Sequence, residues 1–164
     1  MKNKKAFTLI ELLIVIAIIS IIAGIVFVAL DPLSRFKDAR DSRRWADASA
    51  IITAIKVSQI DNGGAYIAAI NSTAPGTVYM IGEATTGCST TPTCTTPVAS
   101  TTACVDLTDL VTDGYLGNVP VSPTGAGDEY SSSTTGYTLK RESNGIITIA
   151  ACENENTTEI KVVR

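Results

Sequence analysis

Apolar residues fill an early part of the chain almost without interruption, whereas the remainder of the sequence is mixed. The segment 12–30 has 19 residues and contains no charged side chain. As a helix it would extend about 28 Å, close to the roughly 30 Å hydrocarbon core of a bilayer. This pattern predicts a membrane-spanning helix. The preceding lysines, Lys2, Lys4 and Lys5, predict that the N-terminus stays on the cytoplasmic side.

A second helical pattern follows over residues 33–60, where apolar residues recur every three or four positions. Its apolar stripe consists of Ala48, Ile51, Ile52 and Ile55. A stripe of this kind predicts a helix that packs on a sheet.

Turn-forming residues bound this second helix. Asn62-Gly63-Gly64 predicts its end. At its start, Asp31-Pro32 has two interpretations. The pair is either the cap and first turn of a separate helix, or a kink in one continuous rod, which we favour.

The second half of the chain shows the shorter patterns of strands and loops. Residues 77–82 predict a strand, and residues 105–113 predict a short helix that buries Leu107, Leu110 and Val111. Two β-rich runs flank Asn144-Gly145, which predicts a hairpin. The final run, 159–164, predicts either an edge strand or a free end. Together the patterns predict an α+β fold, in which a long N-terminal helix packs on a small antiparallel sheet.

Composition adds the four cysteines Cys88, Cys94, Cys104 and Cys152, while histidine is absent. The cysteine spacings do not resemble the CxxC pairs of zinc sites, so disulfides in an oxidising compartment are favoured. Four cysteines allow three pairings. We prefer Cys88–Cys94 with Cys104–Cys152, which closes a small loop and ties the region around the short helix to the last hairpin strand. The first alternative is Cys88–Cys104 with Cys94–Cys152.

The remaining chemistry argues against catalysis. The sequence contains no histidine, no nucleophile elbow, no phosphate-binding loop and no carboxylate pair spaced for acid–base work. It therefore predicts neither an enzyme nor a cofactor. The net charge is −3, and lysine and arginine do not form the basic cluster of a nucleic-acid interface.

One acid, Glu11, stands at the beginning of the apolar run, where a charge in lipid is costly. Its surroundings, KKAFTLIELL, resemble the prepilin leader shared by type IV pilins and type II secretion pseudopilins. The resemblance extends from Lys5 to about Leu30. It implies cleavage between Ala6 and Phe7, N-methylation of Phe7, and a signature role for Glu11. The family usually has glycine before the cut, whereas this chain has Ala6.

The resemblance also implies a role for the acid in assembly. After cleavage, Phe7 carries a new ammonium group. The Glu11 carboxylate of one subunit would pair with the Phe7 ammonium of its neighbour, and each would offset the desolvation cost of the other. The charge pair would then set the axial register of stacked helices. A simpler alternative is that Glu11 only complements the macrodipole at the N-terminus of its own helix.

The resemblance implies a ladle-like pilin organisation in four parts. These are a leader at 1–6, a membrane and assembly helix at 7–30, an amphipathic continuation at 31–61, and a globular head at 62–164 with a Thr-rich cysteine-containing loop at 84–104. A single-pass protein of the cytoplasmic membrane, with its head outside, would later enter an extracellular pilus. Its expected partners are copies of itself, the prepilin peptidase, the membrane assembly platform and the bilayer.

Two other functions remain open at this point. One is a pseudopilin of a type II secretion system, which would form a short periplasmic filament. The other is a membrane-anchored binding protein that never polymerises. The Thr-rich head favours a pilus used for adhesion, motility or DNA uptake.

Two head segments carry weaker hypotheses. Residues 119–132 resemble the Pro-rich loop of major pseudopilins, in which Asp128 and Glu129 are the available carboxylates. Calcium prefers six to eight oxygen ligands, so an ordinary solvated turn is favoured over a metal site. Arg43-Arg44-Trp45 has the residue types of a nucleic-acid or headgroup contact, but we favour a solvated face that meets charges on neighbouring subunits.

Overall fold

The structure, a computed structural model, describes residues 7–83, 88, 94, 103–125 and 129–164. By its internal contacts the chain divides into two compact units, Met1–Phe36 and Lys37–Arg164. Helix α1, Leu9–Leu30, lies in the first unit. Helix α2, Pro32–Asp61, begins there and continues through the second unit. The fold is α+β and pilin-like, with a long N-terminal helical segment and a small sheet, as the sequence predicted.

Asp31 interrupts the N-terminal helical segment. Its backbone adopts a left-handed conformation, with φ 36° and ψ 72°, and its carbonyl accepts the Arg35 N–H at 3.3 Å. Pro32 is the first residue of α2, a position where its missing N–H removes no helical hydrogen bond. Both interpretations of the sequence placed an irregularity at Asp31-Pro32, and the structure has it there.

In the second unit, hereafter the head, the described residues form two short helices and five strands in addition to α2. The helices are α3, Ala68–Asn71, and α4, Thr108–Thr112. The strands are β1, Val78–Ile81; β2, Cys104–Val105; β3, Tyr137–Arg141; β4, Ile147–Ala151; and β5, Lys161–Val163. Their order in the sheet is β2-β1-β3-β4-β5.

The hairpin of β3 and β4 is confirmed. The two strands are antiparallel, and the Glu142 N–H donates to the Ile146 carbonyl at 2.8 Å across the turn. Gly145 has a positive φ of 83°, which glycine adopts without steric cost. The C-terminal run forms the edge strand β5 rather than a free end, because it pairs with β4.

The expectation of a fully antiparallel sheet is wrong at one pair of strands. Strands β1 and β2 are parallel, with Met80 opposite Cys104. A parallel pair needs a crossover of a dozen or more residues, and the chain between Ile81 and Cys104 is long enough to provide it. The sheet is therefore mixed.

The predicted stripe of α2 forms the core of the head. Ala48, Ile51, Ile52 and Ile55 are buried in one cluster with sheet residues such as Leu139. The short helix α4 is shorter than predicted, because Val105 belongs to β2 and the Asp106 side chain accepts the Thr108 N–H at 2.8 Å. Leu107 and Leu110 are buried as expected, whereas Val111 is only half-buried.

The preferred disulfide pairing is wrong. The structure joins Cys88 to Cys104 and Cys94 to Cys152, with Cα atoms 5.5 Å and 4.5 Å apart. The sheet order explains why. Cys104 begins β2 and Cys152 follows β4, so β1 and β3 lie between them. Three strand spacings amount to about 14 Å, whereas a disulfide requires Cα atoms within about 7 Å.

Arg44 is buried, so the interpretation of this part of α2 as a solvated face is wrong for that residue. Its side chain is 0% exposed, and its guanidinium reaches three carboxylates as well as the loop before β3. The partners are Asp41 at 2.8 Å, Glu153 at 2.8 Å, Glu155 at 3.0 Å, Ser122 Oγ at 3.1 Å and the Pro123 carbonyl at 2.9 Å. Neighbouring Arg43 is 68% exposed and lies 3.8 Å from Asp47. Arg44 therefore connects α2 to the segment after β4.

Asp41 strengthens this connection from the same helix. Its carboxylate accepts the backbone N–H groups of Glu155, Asn156 and Thr157 at 3.1, 2.9 and 3.2 Å. Burial alone raises the pKa of Asp41, but these donors and Arg44 outweigh burial, so the pKa lies below its ordinary value. Hydrogen bonds from Arg40 likewise lower the pKa of Glu155.

The disulfide pairing predicts which thiol is released when one cysteine is removed. In a Cys104→Ser variant the partner left free is Cys88. Alkylation of the unreduced protein, followed by reduction and trypsin digestion, separates the candidates, because Cys88 lies in the tryptic peptide 57–140 and Cys152 in 142–161. We expect the label in 57–140. A label on Cys152 would instead restore the pairing preferred from the sequence.

The buried guanidinium predicts unequal effects of two adjacent arginines. Replacing Arg44 by methionine leaves buried carboxylates without their counter-ion, which typically costs about 3–5 kcal/mol. Arg43→Met removes only an exposed ion pair, worth about 1 kcal/mol or less. The free energy of unfolding, measured by denaturant titration of the full chain in detergent, checks both values. Equal effects would contradict the burial of Arg44.

The lowered pKa values of Asp41 and Glu155 predict acid sensitivity. Because the folded state favours both ionised carboxylates, their contribution to stability is complete above the ordinary pKa values near 4 and is lost as the pH falls through the folded values. We expect denaturation midpoints to change little from pH 7 to about 5 and to fall steeply below about 4. In Asp41→Asn the fall should be shallower, and an unchanged pH profile would count against this role.

Candidate assembly site

Helix α1 presents an apolar surface around its whole circumference. None of its 22 residues, all of which the structure describes, is buried. At 1.5 Å per residue the helix is about 33 Å long, enough to cross the hydrocarbon core of a bilayer. Among the described residues, the N-terminal helical segment is the one helical stretch long and apolar enough for a membrane span. It fits a single-pass membrane anchor.

The N-terminus of α1 is closed by a reciprocal pair of hydrogen bonds. The Thr8 hydroxyl accepts the Glu11 N–H at 3.3 Å, and the Glu11 carboxylate accepts the Thr8 N–H at 2.8 Å. The carboxylate also accepts the Thr8 hydroxyl at 2.8 Å. This capping box satisfies two N–H groups that the helix itself leaves without acceptors.

Within a single chain, the capping box explains why an acidic residue at position 11 is favourable. The carboxylate lies at the positive end of the helix macrodipole, as the simpler alternative proposed. Glu11 is nevertheless exposed, and its side chain folds toward the N-terminal end of the helix. An exposed carboxylate in this position is accessible to a cationic group on a second copy of the chain.

Phe7 lies just before the helix, and its side chain is 84% exposed. The structure thus places Phe7, Thr8 and Glu11 together at one exposed end of α1, while Ala6 lies outside the described residues. Sequence reasoning identified Phe7 and Glu11 but missed Thr8. The signal was present, because Thr-x-x-Glu ahead of an apolar run has the spacing of a capping box.

The other site hypotheses lie on the head. Asp128 falls outside the described residues, and Glu129 is exposed. Within the described part of the chain, no group of three or more histidine, cysteine, aspartate or glutamate side chains is placed to hold a metal ion. Arg43 and Trp45 are exposed on α2. Arg44, which stands between them in the sequence, is buried in the head.

Two grooves lie on the described part of the head, and neither gathers side chains of a single charge sign. A cavity of 310 Å³ lies on the sheet face opposite α2, where Lys140 pairs with Glu142 at 2.5 Å and Lys161 with Glu159 at 3.1 Å. A shallower groove of 610 Å³ runs beside α2 and is lined largely by small residues and by loop 114–117. Neither arrangement indicates a particular ligand.

Comparisons with known proteins identify only the N-terminal part of the chain. Residues 1–27 match a family described as the prokaryotic N-terminal methylation motif. No curated protein matches the chain, and no solved structure does so either. The matched residues include the leader, Phe7, the capping box and most of α1, so the motif and the exposed apolar helix coincide. The N-terminal segment of this chain carries the prepilin leader signature of type IV pilins and pseudopilins.

Proposed function

We propose that this protein is the structural subunit of a type IV pilus-like filament. The observation that carries the proposal is the combination of the methylation motif with an apolar helix that buries none of its residues and has Phe7, Thr8 and Glu11 at its N-terminal end. Such a helix is stable only where water is replaced by lipid or by other apolar helices. Both environments occur in succession in the proposed function, which is structural and involves no catalysis.

The first environment is the cytoplasmic membrane. The leader lysines hold the N-terminus in the cytoplasm, and the head is translocated. This orientation delivers all four cysteines to an oxidising compartment, where the two disulfides form and persist. The disulfide pairs and the proposed orientation are therefore mutually consistent.

Cleavage by the prepilin peptidase then separates Ala6 from Phe7. Phe7 precedes α1, so processing at this bond leaves the helix and its capping box intact. Hydrolysis creates an ammonium group at Phe7, and N-methylation preserves its positive charge.

Assembly brings α1 helices together through their apolar surfaces. An isolated carboxylate among apolar helices carries a large desolvation cost, which a cation at hydrogen-bonding distance offsets. The Phe7 ammonium of a neighbouring subunit supplies that cation when the two helices are offset along the filament axis. Apolar contact thus provides most of the adhesion, and the Glu11–Phe7 pair selects one offset.

A pseudopilin of a type II secretion system shares this assembly chemistry and remains the nearest alternative. Two disulfides in a head of 128 residues (Lys37–Arg164) suit both locations, because the periplasm and the cell exterior are both oxidising, and the Thr-rich loop 84–104 is the feature that favours the exterior. Shearing of intact cells separates the two functions, because a surface pilus is released by shear whereas a periplasmic filament is retained.

The proposal predicts a processed N-terminus and a specific effect of one carboxylate. Mass spectrometry of the protein from its own cells should show N-methylated Phe7. Glu11→Gln should be processed but fail to enter filaments, since the neutral amide cannot pair with the ammonium. Glu129→Gln, an equally conservative change on the exposed surface of the head, should assemble normally.

Filament yield in sheared fractions, compared with total subunit, measures the effect of each variant. If Glu11→Gln assembles as well as the wild type, the register role is wrong. If Met1 is retained in cells that contain the peptidase, the protein is instead a membrane-anchored binding protein.

A further inference from the structure

The exposed apolar surface does not end with α1. The first two turns of α2 carry Leu33, which is 72% exposed, and Phe36, which is 63% exposed. These two residues are three positions apart and therefore lie on the same side of the helix. They form a compact apolar patch just after the break at Asp31.

The patch is bounded by charge. On the same side of α2, one turn beyond Leu33, lies Lys37, and the next position on that side is Arg40, whose guanidinium binds Glu155. The opposite side of this turn carries Ser34, Arg35 and Asp38. One side of the helix thus changes from apolar to cationic within a single turn, a pattern typical of segments at a membrane surface.

Helix length places the patch at that surface. Helix α1 alone extends about 33 Å, which already crosses a hydrocarbon core of roughly 30 Å. Leu33 and Phe36 follow at the end of this span, at the boundary between the acyl chains and the headgroups.

We propose that the first two turns of α2 are a lipid-binding segment on the outer face of the membrane. Leu33 and Phe36 enter the upper part of the acyl chains, and Lys37 extends its aliphatic stem along them so that its ammonium reaches a phospholipid phosphate. The inference rests on the proposed membrane anchor and goes beyond it. The anchor extends past α1, and a subunit must withdraw this patch from lipid before it can join a filament.

The chain contains one tryptophan, Trp45, which makes a fluorescence test possible. In a Trp45→Phe background, Phe36→Trp places a single reporter in the patch, hereafter the patch reporter. Because Phe36 is exposed, this exchange of one aromatic for another does not disturb the core of the head. A matched control in the same background, Ile19→Trp, places a reporter near the middle of α1, hereafter the mid-helix reporter.

The full-length, uncleaved protein is reconstituted at high dilution into phosphatidylcholine vesicles whose acyl chains carry bromine either near the headgroup or near the chain end. Bromine quenches tryptophan by contact, so the two lipids report depth. We expect the mid-helix reporter to lose more fluorescence with the deep bromine and the patch reporter to lose more with the shallow bromine. Adding Lys37→Gln to the protein with the patch reporter should reduce shallow quenching without moving that reporter to the deep position.

The outcomes separate the inference from the function on which it rests. Strong quenching of the mid-helix reporter with no quenching of the patch reporter overturns lipid binding by the beginning of α2 and leaves the membrane anchor in place. Absence of quenching at both positions overturns the anchor itself. If emission from the patch reporter is blue-shifted but insensitive to both bromines, protein rather than lipid covers the patch, and this result also overturns the inference.

Discussion

The organisation of this protein follows from the need to keep water away from α1. The helix is apolar on every side, and the structure buries none of its 22 residues within the chain. No other part of the protein serves as its partner in the described contacts, so the cover must come from outside the molecule. In the proposed function, lipid covers the helix before assembly, and helices of other copies cover it afterwards. In the proposed filament, Glu11 and the ammonium group of Phe7 are charges within an apolar bundle, and each offsets the desolvation cost of the other.

Within the head, the sheet and the segment after β4 are held to α2 by more than apolar contact. Its apolar core is reinforced at two places outside the main cluster. Arg44 and Asp41 bind the segment after β4 through buried ionic and backbone hydrogen bonds. Immediately before that segment, Cys152 is bridged to Cys94. The ionic contacts join the segment after β4 to α2, and the disulfide joins the beginning of that segment to Cys94.

Local patterns in the sequence predicted much of this fold. The stripe of α2 was recognisable because a buried helix face repeats every three or four residues, and the β3–β4 hairpin because Asn144-Gly145 has the chemistry of a tight turn. Glu11 and Phe7 were recognisable from a motif of adjacent residues. In each of these cases the information lies within a few residues of the position concerned.

Features that depend on residues distant in sequence were not predicted. Arg44 resembles any exposed helix charge until Glu153 and Glu155, more than a hundred residues later, are brought next to it. The disulfide pairing depends on the order of strands, which follows from the parallel placement of β2 and not from cysteine spacing. Thr8 was missed for another reason. Its spacing to Glu11 was visible in the sequence but was interpreted only as part of the prepilin motif.

In the proposed filament, α1 helices cover one another, and Glu11 of one subunit lies beside Phe7 of the next. A cryo-electron microscopy reconstruction of filaments sheared from cells tests this arrangement most directly. We expect a continuous central bundle of α1 helices in which each Glu11 carboxylate lies within ion-pairing distance of a neighbouring N-terminal nitrogen. A filament held together by its heads, with α1 helices apart and Glu11 facing solvent, would contradict it.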